Sequence, residues 1–343
     1  MSCNNDNDSY NLIFSGGESG AVNMAKDLYI LNRYKQLDDF TVCPTLRLYF
    51  FSPPSLSLGF FQNKFDGGLI TKAKSLGYDI VRRPTGGRAV LHLNEITYSV
   101  VASYKNGIFA GKLMETYRII SNFLYNFFLK IGLNPDIHNI HMPSAVNGAS
   151  SAGNADKNFN CFLKAHSYEV TFSKKKICGN SQRRNDKAFL QHGSIYIDYN
   201  PEEHCELFEN NYVNAQNEEN EIFIPKDKDK DKDKYKNKDK DKLNIYSKNT
   251  KECNKFRVKD YAEKITGIKQ ELFKSNKSNL NLNNLNLKDN QRIAHDVLLD
   301  KNKLLNVLQA SFEDTYNLKS KVHKFNDAEI SEINRLAGTV FIA

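Results

Sequence analysis

From Arg82 to His92 the chain reads RRPTGGRAVLH, two adjacent glycines set among three arginines. Glycines let a main chain approach a ligand closely with unobstructed N–H groups, and the arginines fix positive charge around the same bend. On its own, such a pair is an ordinary hairpin turn. A second set of reactive residues lies in KICGN, where strand alternation puts Lys176, Cys178 and Asn180 on one face. A free thiol titrates at about pH 8.5, and a neighbouring ammonium that lowers this by about 1.5 units, roughly 2 kcal/mol, makes half of it thiolate at neutral pH. Cys161 is a competing thiol, placed where a Gly-, Asn-, Ser- and Ala-rich stretch (147–160) gives way to a strand, so that its side chain can face a cleft. The commoner fate of a free cysteine is a small buried hydrophobe. His92 and His192 flank these motifs and can orient a carbonyl, shuttle a proton, or serve as structural hydrogen-bonded histidines. His138 and His141 have metal-like spacing, yet no third ligand accompanies them in register, and a surface loop is preferred over zinc.

These groups need elements to carry them. Tyr78 to Val81 and Ala89 to Leu91 bracket the glycine turn as strands. Gly20–Leu31 has helical spacing, Pro44–Phe51 alternates with Leu46, Leu48 and Phe50 on one side, and Asp66–Leu76 is a short helix. Glu95–Ser103 is a further strand and Lys112–Ile131 an amphipathic helix that covers the sheet. Tyr168–Phe172 alternates as a half-buried strand, SKKK turns, KICGNSQRR returns, and Ala188–Tyr199 supplies another strand in which Gly193 allows close backbone approach. Helices are expected at Val258–Phe273, Lys301–Tyr316 and Asp327–Leu336, the last capped by Asn326. Strand and helix alternate without a clean βαβ repeat, which predicts an α+β fold with a mixed sheet.

Composition bounds the rest. The 343 residues are 40% hydrophobic, enough for a sizeable core. Lys226–Lys242 holds nine lysines against six aspartates, and 274–290 is rich in Asn, Lys and Leu, so both read as low-complexity inserts. We therefore expect a helical lead-in at 1–40, a catalytic core at 41–213, a charged insert at 214–257 and a helical part at 258–343. The +8 net charge is modest and scattered, with no basic stripe interleaved with aromatics, which argues against nucleic acid as a partner. Six cysteines without CxxC spacing, no leader-like start, and charges interrupting Lys112–Ile131 point to a cytoplasmic protein with reduced thiols and no membrane partner.

Arg82, Arg83, Thr85, Gly86, Gly87 and His92 together resemble the ligand-binding turn of the biotin/lipoate protein ligase family: an arginine pair, Ser or Thr, two glycines and a histidine a few residues on. Arg88 stands where lipoate ligases commonly carry a third glycine, a form more similar to the octanoyltransferases of that family. GAVNMAKDLYIL and PTLRLYFFSPPSLSLGFFQ resemble the family's opening helix and first strands, and ITGIKQEL its C-terminal helices; the inserts have no counterpart.

The resemblance implies a class II ligase-like α+β domain, its mixed, largely antiparallel sheet backed by helices. It implies an octanoyltransferase that works without a cofactor. Octanoyl would pass from acyl carrier protein to a lysine of a lipoyl domain, such as the glycine-cleavage H protein. In that reading Cys161 is the nucleophile and Lys176 holds it as thiolate. Arg83, Thr85, Gly86, Gly87, Arg88, His92 and His192 bind the substrate beside an apolar tunnel. Cys161 is preferred to Cys178 because the family position of Cys178 normally holds Ala or Ser. The rival readings are an ATP-dependent lipoate ligase, an amidotransferase between lipoyl domains, and a carrier-binding module without activity.

Overall fold

A computed structural model of the chain describes residues 8–36, 43–62, 67–105, 107–136, 170–208, 258–259, 261–279 and 300–340. Cys161, His138, His141 and nearly all of both inserts lie outside these residues.

Six strands form the main sheet: β11 (Lys319–Val322), β1 (Ser9–Glu18), β2 (Thr45–Phe51), β6 (Glu95–Ser103), β10 (Ala188–Tyr196) and β9 (Cys178–Arg184), in that spatial order. The β11–β1 and β1–β2 pairs are parallel, and the remaining three are antiparallel. A side sheet joins β3 (Ser55–Leu58) in parallel to β4 (Asp79–Arg82) and antiparallel to β5 (Val90–His92). The mixed, largely antiparallel α+β architecture follows the sequence expectation. Two βαβ units nevertheless sit inside it: α1 (Gly20–Gln36) links β1 to β2, and α2 (Gly67–Ser75) links β3 to β4. The first was hidden because Ser9–Glu18, expected as part of a helical lead-in, is a strand.

Helices cover both faces of the main sheet. On one side α3 (Leu113–Lys130) and α6 (Lys301–Tyr316) bury Phe123, Phe127, Leu308 and Phe312 against Leu12, Leu46, Leu48 and Tyr98. Each such side chain contributes about 1.5–3 kcal/mol of apolar burial. On the other side α1 and α7 (Asp327–Val340) pack Ala25, Ile30, Ile333 and Leu336 against Ile13, Val101 and Leu190. Asn326 does cap α7, reciprocally with Glu329: Asn326 Oδ1 accepts from the Glu329 N–H at 3.0 Å, and Glu329 Oε2 from the Asn326 N–H at 3.0 Å.

Because both faces are covered, alternation misjudges the strand interiors. Arg47 and Tyr49, the opposite side of the Leu46/Leu48/Phe50 alternation, are fully buried beneath α1. The expected return strand 176–184 is split into β8 (Lys175–Lys176), which pairs with β7 (Thr171–Phe172), and β9. Ser173 and Lys174 take positive φ (49° and 65°) and make the turn that SKKK announced. The expected helix 258–273 is interrupted at Ile265, which bridges to Lys176, before α5 (Ile268–Asn279) begins. No described helix is long and apolar enough to cross a membrane.

Candidate active site

A cavity lies between the side sheet and the α1 face of the main sheet, reached by Arg83 and Val90 from the two ends of the glycine turn. The cavity holds about 30 Å³ and is lined by Met24, Tyr49, Val90 and the polar groups of Ser57, Arg83, His92, Ser181, His192 and Ser194. That is room for a water or two, so an acyl chain requires the lining to part. Where an apolar tunnel was expected, the space is small and its lining mixes apolar with polar side chains.

Arg83 explains how the turn holds its shape. Buried at the end of β4, its Nη1 donates to the Ser57 carbonyl at 2.9 Å, Nε and Nη2 to the Gly86 carbonyl at 3.1 and 2.8 Å, and Nη2 to the Arg88 carbonyl at 2.6 Å. One planar fork thus satisfies carbonyls that a tight bend leaves without ladder partners. Gly87 has φ of 93°, a conformation that side chains resist. Arg82 fixes the neighbouring loop through the carbonyls of Gly59 and Gln62 at 2.9 and 3.0 Å. Arg88 is half-buried on the far side of the bend.

Two acid–histidine–hydroxyl chains border the cavity. In the first, Asp27 of α1 accepts at Oδ2 from His192 Nδ1 (3.0 Å), and His192 Nε2 lies 2.6 Å from Thr85 Oγ1, which is 2.6 Å from Ser181 Oγ. Asp27 is also held by Arg47 Nη1 (2.8 Å), Ser99 Oγ (2.8 Å) and Tyr49 Oη (2.9 Å). Burial alone raises the Asp27 pKa, but Arg47 and His192 outweigh it and hold the carboxyl below its ordinary value, ionised. Burial dominates at His192 and lowers its pKa despite Asp27, so the imidazole is neutral at neutral pH. In the second chain, Glu95 Oε1 faces His92 Nδ1 at 3.0 Å, and His92 Nε2 lies 2.8 Å from Ser57 Oγ, with the ring stacked on Phe51.

The structure therefore brings Arg83, His92 and His192 to one cavity, with Thr85 behind His192 at 2.6 Å and Gly86, Gly87 and Arg88 forming the following bend. Lys176 is buried, 1% exposed, on β8 and is not among the cavity-lining residues. Cys178 is fully buried, its Sγ 3.2 Å from Asn180 Oδ1, which also accepts from Tyr98 Oη at 2.7 Å. Cys178 and Asn180 do share a face, and it is the face opposite Ser181. Cys178 and Cys205 are free, buried thiols.

Sequence reading missed Asp27, Arg47, Ser57, Glu95, Ser181 and Ser194. One signal was present: Asn23 and Asp27, four apart in α1, fall beside the apolar Met24 and Leu28, on a helix stripe that is otherwise core.

This arrangement of sheet, side sheet and helices has the fold of the lipoate-protein ligases. It superposes on a lipoate-protein ligase A bound with ATP with a TM-score of 0.58 at 15% identity, covering 96% of this chain and 94% of that one. It superposes on a bi-partite lipoate protein ligase from Thermoplasma acidophilum, studied with its E2 lipoyl domain, with a TM-score of 0.55 at 17% identity, covering 96% and 92%. In sequence, the lipoyl protein ligase A/B catalytic domain matches residues 19–227, a span that contains every cavity-lining residue. The octanoyltransferase LipM of Kyrpidia tusciae is 38% identical over 198 residues, 56% of this chain and 68% of the relative. The chain belongs to the lipoyl protein ligase A/B catalytic domain family, and it is an acyltransferase.

Proposed function

We propose that this enzyme is an octanoyltransferase of protein lipoylation, acting in the cytoplasm, with octanoyl-acyl carrier protein as donor and a lipoyl domain or glycine-cleavage H protein as acceptor. The observation that carries the reading is the 38% identity to a named octanoyltransferase. It is supported by the family match, whose span includes the whole cavity.

In this reading the Cys161 thiolate attacks the donor's thioester carbonyl, the C–S bond to the carrier breaks, and the carrier leaves as a thiolate that solvent protonates. The lysine amine of the acceptor then attacks the enzyme thioester, a C–N bond forms, the C–S bond breaks with the cysteine leaving as thiolate, and the amine nitrogen gives up a proton that ends in solvent. Both thioesters are close in energy, and the amide makes the second step downhill. The Lys176 ammonium favours the thiolate at the start and the end of the cycle. Arg83 and Thr85 hold the turn Gly86–Arg88 along the acyl group, and His92 and His192 flank the reacting group from the adjoining strands. Segments 214–257 and 274–290 are inserts outside this chemistry.

The test is to incubate the purified protein with octanoyl-carrier protein without nucleotide and to follow mass on the enzyme and then on a lipoyl domain. An octanoyl adduct lost in Cys161→Ala and kept in Cys178→Ala is expected. Loss only in Cys178→Ala reassigns the nucleophile, and a strict need for ATP overturns the transferase reading in favour of a ligase.

A further inference from the structure

The hydrogen bonds of the first acid–histidine chain have only one consistent direction. Asp27 is ionised and can only accept, so His192 Nδ1 carries the proton at 3.0 Å from Oδ2. With the imidazole neutral, Nε2 is an acceptor, and Thr85 Oγ1 must donate to it across 2.6 Å. The Thr85 oxygen then accepts, and Ser181 Oγ donates to it, also across 2.6 Å. Ser181 stands directly across the ladder from His192, lines the cavity and is half-buried, whereas Asp27 and Thr85 are fully buried. The free lone pairs of the chain end at its accessible terminus.

We propose that Ser181 is a further catalytic residue, which takes the proton released by the attacking lysine amine and passes it through Thr85 to His192. The inference rests on the octanoyl-transfer reading. As the C–N bond forms and the C–S bond breaks, the amine proton moves to Ser181 Oγ, the Ser181 proton to Thr85 Oγ1, and the Thr85 proton to His192 Nε2. The imidazolium so formed is stabilised by Asp27, the departing thiolate by the Lys176 ammonium, and the proton returns to solvent along the same chain. Asp27, Arg47, Tyr49, Arg83 and His92 are the charged and titratable groups around His192. Asp27 alone among them touches the ring at hydrogen-bond distance on the Nδ1 side.

A relay predicts a split between the half-reactions that a purely structural network does not. In single-turnover measurements Thr85→Val should slow release of octanoyl to a lipoyl domain about 10²-fold more than it slows formation of the octanoyl-enzyme. Thr85→Ser should restore release. Ser181→Ala, at an edge-strand position, should show the same split and guards against a folding failure at Thr85. Release by the wild type should rise with pH through the titration of His192, and release by Thr85→Val should not. An adduct on all variants with unchanged release, or equal slowing of both half-reactions, overturns the relay alone. Absence of any adduct on the wild type overturns the octanoyl-transfer reading and the relay with it.

Discussion

His192 on β10 and Asp27 on α1 meet at 3.0 Å, a contact between a strand and the helix lying across it that joins residues 165 positions apart. The pair ties the site to the core, because the same carboxylate is the partner of the fully buried Arg47. Asp27→Asn should take from that guanidinium its fully buried counter-ion, leaving it the longer contact to Glu18 Oε2 at 3.4 Å, and cost about 3 kcal/mol, read as a lower urea midpoint. Replacing both members, Asp27→Leu with Arg47→Met, should recover much of this stability while transfer stays lost. A double variant no more stable than the single one would contradict the assignment of the cost to an unpaired charge.

Gly193 lies opposite Asn180 in the ladder, and a Cβ there would sit 2.0 Å from Asn180 Oδ1 and 2.7 Å from the Tyr98 ring. Gly193→Ala should therefore cost about 1–3 kcal/mol through overpacking. Thermal unfolding checks this; an unchanged midpoint would mean that β9 shifts freely.

His204 of α4 (Pro201–Phe208) is buried, with Nε2 at 2.9 Å from Tyr196 Oη, and burial pushes its pKa down to about 4. Between pH 6.5 and 4 the unfolded chain binds a proton that the native protein does not. Stability should thus be constant from this group above pH 6.5 and fall by about 3 kcal/mol as pH drops through that window. His204→Gln should flatten the slope of unfolding free energy against pH there. Identical slopes in the two proteins would show that another group is responsible.

Deleting Lys226–Lys242 removes alternating charges that solvate a chain and carry no site chemistry. Octanoyl transfer by the shortened protein should stay close to wild type, measured at matched folded concentration. A loss of turnover with the unfolding midpoint preserved would give the segment a role in docking.

Much of this protein is written locally. The turn Arg82–Arg88, the helix at Leu113–Lys130, the reversal at Ser173–Lys174 and the Asn326 cap all follow from residues within a few positions of one another, because turn geometry, helical period and capping are short-range. Strand β1 was not legible: its partners are β2 and, more than 300 residues away, β11, and the pairing itself stabilises it. Arg47 shows the same limit. Alternation marked a strand, but only the packing of α1 and α7 over the second face made its arginine a core residue that needs Asp27. Residue types and spacing thus determined that a glycine turn, a lysine strand and two histidines exist. The tertiary structure decided which of them meet, because burial of both sheet faces selects the few polar side chains that find partners across elements and leaves a cavity where their hydrogen bonds end.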